Sequence, residues 1–180
     1  TSAASGGYKG QLLSVALVGG ASMRDPTSPQ FTAFEWLAAN EDLASYSEDR
    51  IIQRYVLATF YFSTGGEQWL QNSFWVSDED ECTWYTRASS SCGEDGYFQR
   101  LELYFNNVQG SIAFDIALLS NSLQVIDVSG GPERAISGTL PAELGFLTRL
   151  QDFRVQNNNL TGRLPSGYGA WTSLEWLDLS

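Results

Sequence analysis

Asn157-Asn158-Asn159-Leu160-Thr161-Gly162-Arg163-Leu164-Pro165, NNNLTGRLP, sets three asparagines ahead of a leucine, a glycine and a proline at fixed offsets. A catalytic loop would occur once, whereas this pattern recurs. Aligned on an alternating apolar pair, the chain yields LELYFNNVQGSI (101–112), IDVSGGPERAISGTLP (126–141), FRVQNNNLTGRLP (153–165) and LDLS (177–180). The segments begin at 101, 126, 153 and 177, so the steps are 25, 27 and 24 residues, the period of a repeat architecture rather than of a single site. Leu101, Leu103, Asn106, Val108, Gly110 and Ile112 reproduce the spacing of Phe153, Val155, Asn158, Leu160, Gly162 and Leu164. The second segment resumes it at Ile136, Gly138 and Leu140 only after an insertion containing Pro132 and Glu133, and its turn is expected to bulge there.

Each apolar pair alternates with period two, which predicts a short strand whose apolar residues point inward. One strand per repeat, stacked in parallel, builds a continuous sheet on one side. Where the chain turns inward after each strand, backbone donors and acceptors need partners, and an asparagine side chain offers both. Asn106 and Asn158 hold that position, and the second repeat has Gly131 there.

Ahead of the repeats, SPQFTAFEWLAANEDL predicts a helix starting near Pro29, with Phe31, Phe34, Leu37 and Ala38 inward. SEDRIIQRYVLATFYFSTGG predicts a longer one, capped by Ser47, with Ile52, Tyr55, Val56 and Thr59 inward and Gly65 and Gly66 at its end. Trp69, Trp75 and Trp84 follow beside both cysteines, as material to seal the open end of a repeat stack. Residues 1–10 are small and polar, and Leu12–Gly20, LLSVALVGG, is too short an apolar run to span a bilayer.

The chain of 180 residues carries 10 Lys and Arg against 21 Asp and Glu, has no histidine, and has a net charge of −11. Nucleic acid and anionic membranes are therefore poor partners, because both require cationic neutralisation. DEDE, Asp78–Glu81, lacks the alternating ligands and terminal Glu of a calcium loop and reads as a solvated acidic loop. Cys82 and Cys92 are too few for zinc in a chain without histidine, and point to a local disulfide in an oxidising compartment, the alternative being two buried thiols. No metal or cofactor is expected. No catalytic residues emerge either: without histidine there is no Ser-His or Cys-His pair, and Asp127 and Asp178 match each other through repetition.

The pattern resembles the plant-type leucine-rich repeat, most closely in LQDFRVQNNNLTGRLPSGYGAWTSLEWLDLS (150–180). Trp69, Cys82, Trp84 and Cys92 are similar to the Trp-Cys-Trp-Cys pattern of that family's N-terminal cap, and the resemblance covers roughly residues 48–180. Residues 1–47, with QRYVLATFYFSTGG, resemble secreted or membrane-attached leucine-rich repeat proteins of diatoms and related algae. The resemblance implies an α/β solenoid, a right-handed arc with a parallel concave sheet, extended second strands and a helical, disulfide-bonded cap. The expected organisation is an arm or linker at 1–30, a capping region at 31–97 and repeats at 98–180, truncated after the fourth strand.

It also implies a non-enzymatic binding module that contacts a protein, peptide or glycan. The outward positions would be Glu102, Tyr104, Phe105, Asp127, Ser129, Arg154, Gln156, Asn157 and Asp178. The competing expectation is a structural or accessory subunit of a larger extracellular or luminal assembly, docking through its N-terminal region. NLT at Asn159–Thr161 is a glycosylation acceptor sequence and, with the cysteines, points to the extracellular space, the cell surface or an oxidising lumen. Leu177 and Leu179 fall in the last strand, so the natural chain is expected to be longer, or its final face covered by another chain.

Overall fold

The structure, a computed structural model, describes residues 20–131 and 135–180. Positions 12–19 of the apolar run and the insertion at Pro132 and Glu133 lie outside the described residues. Two helices, α1 (Pro29–Ala38) and α2 (Glu48–Ser63), precede six short strands: β1 (Arg100–Glu102), β2 (Val125–Asp127), β3 (Ser137–Thr139), β4 (Asp152–Arg154), β5 (Asn159–Thr161) and β6 (Trp176–Asp178). β1, β2, β4 and β6 form one parallel sheet in that order, and β3 pairs with β5 in a second. Short 3-10 helices at Phe114–Leu119, Ala142–Phe146 and Ser166–Ala170 carry the chain from one repeat to the next. The result is a mixed α/β arrangement of parallel strands joined by short helices.

The inward row of the main sheet, Leu101, Ile126 and Phe153, is fully buried, while Leu177 at its end is 45% exposed. Burying a side chain of this size stabilises by about 1.5–3 kcal/mol, so this row with Leu103, Val128, Ile136 and Val155 supplies much of the repeat core. Trp171 and Tyr168 stack at 4.1 Å behind Phe153, and their polar ends donate to Leu144 O and Pro141 O of the preceding repeat.

Asn158 fills its expected role across a repeat boundary. Its Oδ1 accepts from Ile136 N at 2.8 Å, and its Nδ2 donates to Val128 O and Val155 O, each at 2.9 Å. The second repeat has glycine at its own asparagine position, and the third repeat's asparagine reaches back to satisfy it. Adjacent Gly130 makes the approach feasible: a Cβ there would meet Asn157 O at 2.0 Å. Asn106 performs the same task toward the cap, accepting from Gln71 N and donating to Gln71 O, both at 2.8 Å. Asn158→Ala is expected to destabilise by about 1–3 kcal/mol, because it strands several backbone groups; an unchanged urea midpoint contradicts this role.

The cap departs from its sequence reading in three places. Ser47 caps α2 as expected, accepting from Arg50 N, and Ser28 caps α1, accepting from Phe31 N. The buried stripe of α1 is Gln30, Ala33, Phe34 and Leu37: Phe34 and Leu37 point inward as expected, while Phe31 and Ala38 are half-buried and Gln30 and Ala33 take the remaining inward positions. α2 is buried almost all round from Gln53 to Tyr61, because it lies between α1, the aromatic layer and the first repeat, so no single stripe describes it. Glu81, read as part of a solvated acidic loop, is only 1% exposed and receives Arg54 Nη1 at 2.9 Å, Arg50 Nη2 at 3.1 Å and Gln53 Nε2 at 3.0 Å.

Trp69, Trp75 and Trp84 are buried and run ring to ring, at 5.0 Å and 5.4 Å, with Trp36 and Tyr61 continuing the row at its two ends. Cys82 and Cys92 are joined in a disulfide beside them. A disulfide is consistent with an oxidising, extracellular or secretory-pathway environment. From Gly20 to Gln30 the segment expected to be arm or linker packs against the rest of the chain: Met23 is buried, and Gln30 Nε2 donates to Asp115 Oδ2 of the first repeat at 2.6 Å.

Asp115, on the 3-10 helix of the first repeat, is buried and also accepts from Tyr55 Oη at 3.1 Å. Burial raises its carboxyl above the ordinary range, and the charge of Glu143 adds to this, while the hydrogen bonds from Gln30 and Tyr55 oppose it. Burial and the neighbouring Asp115 raise the Tyr55 hydroxyl too, so it stays a donor. Because the folded pKa exceeds the unfolded one, the stability contributed by Asp115 is present at acid pH and lost as pH rises through the raised value. The unfolding free energy of wild type relative to Asp115→Asn is therefore expected to fall as pH rises from about 4. Parallel pH profiles of the two proteins in urea unfolding contradict it.

Candidate functional site: the outward face of the parallel sheet

Register puts two rows of outward side chains side by side. Arg100, Val125, Asp152 and Trp176 are aligned across the four strands, and Glu102, Asp127, Arg154 and Asp178 form the neighbouring row two residues on. A third row, Tyr104, Ser129 and Gln156, follows where the strands end. Between these rows lies a depression of about 330 Å³, lined by Arg100, Glu102, Tyr104, Phe105, Val125, Asp127, Ser129, Asp152, Arg154 and Gln156.

Seven of the nine positions read from the sequence line this depression: Glu102, Tyr104, Phe105, Asp127, Ser129, Arg154 and Gln156. Asn157 and Asp178 do not. Asn157 sits in the left-handed region at φ 57°, exposed, with its N–H donating to Ser180 O. Asp178 Oδ1 accepts from Ser180 N at 3.1 Å and Ser180 Oγ at 2.9 Å, closing the turn after β6. Asp127 closes the equivalent turn with Ser129, whose N–H and hydroxyl both donate to Asp127 Oδ1. Asp127 and Ser129, folded into this turn, are only 7% and 5% exposed.

The row holding Arg100, Val125 and Asp152 was not read from the sequence. Period two applies in both directions, and stepping back one residue from each apolar anchor would have found it.

The charges are arranged in unequal pairs. Arg154 grips Asp152 through Nε at 2.8 Å and Nη2 at 2.7 Å, stands 3.8 Å from Asp127, and lies over the Trp176 ring at 5.2 Å. Arg100 pairs with Glu102 on its own strand. Arg87, from the cap, donates to Tyr104 O at 2.8 Å and lies 4.7 Å from the centre of its ring. Burial raises the Asp152 carboxyl above the ordinary range; Arg154 opposes this, while the charges of Asp127 and Glu102 push it further up. Gln156 Oε1 is buried without a hydrogen-bond partner among the described residues. Phe105, at φ 53°, is held 56% exposed at the edge of the depression.

Among the described residues, no group of three or more His, Cys, Asp or Glu side chains is placed to hold a metal ion. Asn159 is exposed on β5, with its N–H engaged by Ile136 O. No family model matches the chain, and no curated protein matches it. The crystal structure of PEPR1-AtPEP1 is similar to it at 20% identity and a TM-score of 0.42, over 60% of this chain. The match spans 19% of that chain.

Proposed function

We propose that this chain is a plant-type leucine-rich repeat module of an extracellular or secretory-pathway protein, and that the outward sheet face binds a segment of a protein or peptide. Residues 31–97 serve as its cap, 98–180 as its repeats, and Asn159 as a glycan acceptor. One observation carries the reading: outward side chains of three successive strands line a single depression of about 330 Å³. Residues far apart in sequence thereby share one surface, and repeat proteins use such surfaces for extended contacts. Exposed aromatics at the edge, Phe105 and Trp176, supply anchors of the kind that dominate binding energy. Trp69, Trp75 and Trp84 are buried in the cap and present no ring face to a ligand, so Phe105 and Trp176 are the aromatic contacts this reading relies on.

An unbiased library of displayed peptides tests this. Binders selected on the wild-type chain are expected to weaken about tenfold or more on Phe105→Ala with Arg154→Ala, and to be unaffected by Phe146→Ala, an exposed apolar residue outside the depression. Binders indifferent to the first pair of substitutions overturn the assignment of the face.

A further inference from the structure

We infer that the polypeptide held on this face is cationic: an extended segment that runs from the depression onto β6 and sets Lys or Arg side chains against Asp127 and Asp178. The inference rests on the binding role proposed above and specifies its partner. The two central rows carry four carboxylates, Glu102, Asp127, Asp152 and Asp178, against two guanidinium groups, Arg100 and Arg154. Arg100 is committed to Glu102. Arg154 is committed to Asp152 by two short contacts and reaches Asp127 only at 3.8 Å. The hydrogen bonds to the carboxylate of Asp178 come from Ser180 among the described residues, and those are uncharged.

Asp127 therefore has Arg154 only at 3.8 Å and shared with Asp152, and Asp178 has no ion pair among the described residues; the two lie on β2 and β6, either side of the strand that carries Arg154. An incoming ammonium or guanidinium group supplies the missing charge, whereas a carboxylate or phosphate would add a fifth to four. The remaining chemistry agrees. Gln156 Oε1 is a buried acceptor that needs a donor, and Tyr104 and Trp176 already hold guanidinium groups over their rings. A lone small amine would not span the site: the acidic positions extend over strands about 4.8 Å apart, so several must be engaged by successive residues of an extended chain. The net charge of −11 attracts such a segment from a distance.

Three labelled octapeptides, identical except for Lys, Gln or Glu at two central positions and sharing one Trp, measured by fluorescence anisotropy, provide the test. The Lys peptide is expected to bind about five- to tenfold more tightly than the Gln peptide, and the Glu peptide more weakly still. Added salt should shrink that preference. Asp127→Asn with Asp178→Asn should abolish it, and Asp49→Asn with Asp95→Asn, on the acidic surface of the cap, should leave it intact. The peptide series needs no altered protein, so it decides the matter even if a variant folds poorly. Equal affinity for all three, tighter binding of the Glu peptide, dependence on the cap pair, or no binding of any peptide each overturns the cationic assignment. In that event the library selection still tells whether the face binds polypeptide at all, since its readout is location and not charge.

Discussion

Replacing Glu81 with alanine is expected to lower the unfolding free energy by about 3–5 kcal/mol, because it leaves the fully buried Arg54 without its counter-charge. The guanidinium is otherwise held by backbone: Nη1 donates to Glu79 O at 2.9 Å and Nη2 to Ser77 O at 2.6 Å. Those carbonyls are dipoles, not charges, and do not replace a carboxylate. Glu81 also gathers Arg50 and Gln53, and Gln53 Oε1 accepts from Phe98 N at 2.7 Å, immediately before the first strand. Losing one carboxylate thus loosens the acidic loop, α2 and the entrance to the repeats together. Asp78→Ala, three residues away and exposed, should change stability by no more than about 0.5 kcal/mol. Urea unfolding followed by tryptophan fluorescence distinguishes the two; equal effects contradict the buried pair.

The repeats could be read in the sequence because their determinants are local. Leu101 and Leu103, Ile126 and Val128, and Phe153 and Val155 each declare a strand within three residues, and Asn158 declares the turn behind it. The outward face was legible in the same way, except where the reading frame began at the apolar anchor and passed over Arg100 and Asp152. The polar core of the cap was not legible. Glu81 and Arg54 are 27 residues apart, and Gln30 and Asp115 are 85 apart. In one dimension, a buried acid in an acidic run is indistinguishable from its solvated neighbours. Only packing identifies it, and packing is long-range. The same holds for α2, whose polar residues suggest one inward stripe until its neighbours on every side are known.

Trp84→Ala is expected to cost about 3–5 kcal/mol, comparable to Glu81→Ala, and the two losses are expected not to add. Trp84 is 1% exposed, touches Trp36 and Trp75 ring to ring, and donates its Nε1 to Glu79 O at 3.2 Å. Removing it opens a void in the layer that seals the first repeat, beside the disulfide at Cys82. The Arg54 guanidinium also lies 5.1 Å from the Trp84 ring centre and 5.2 Å from that of Trp36. One cation is therefore held by a carboxylate on one side and by aromatic faces on the other. With Trp84 absent, the void lets water reach the Arg54 guanidinium, so the later loss of Glu81 strands a less desolvated charge and costs less. The double variant should fall short of the sum by about 0.5–3 kcal/mol. Strict additivity would mean that the aromatic layer and the ion pair stabilise the cap independently, and that Arg54 does not couple them.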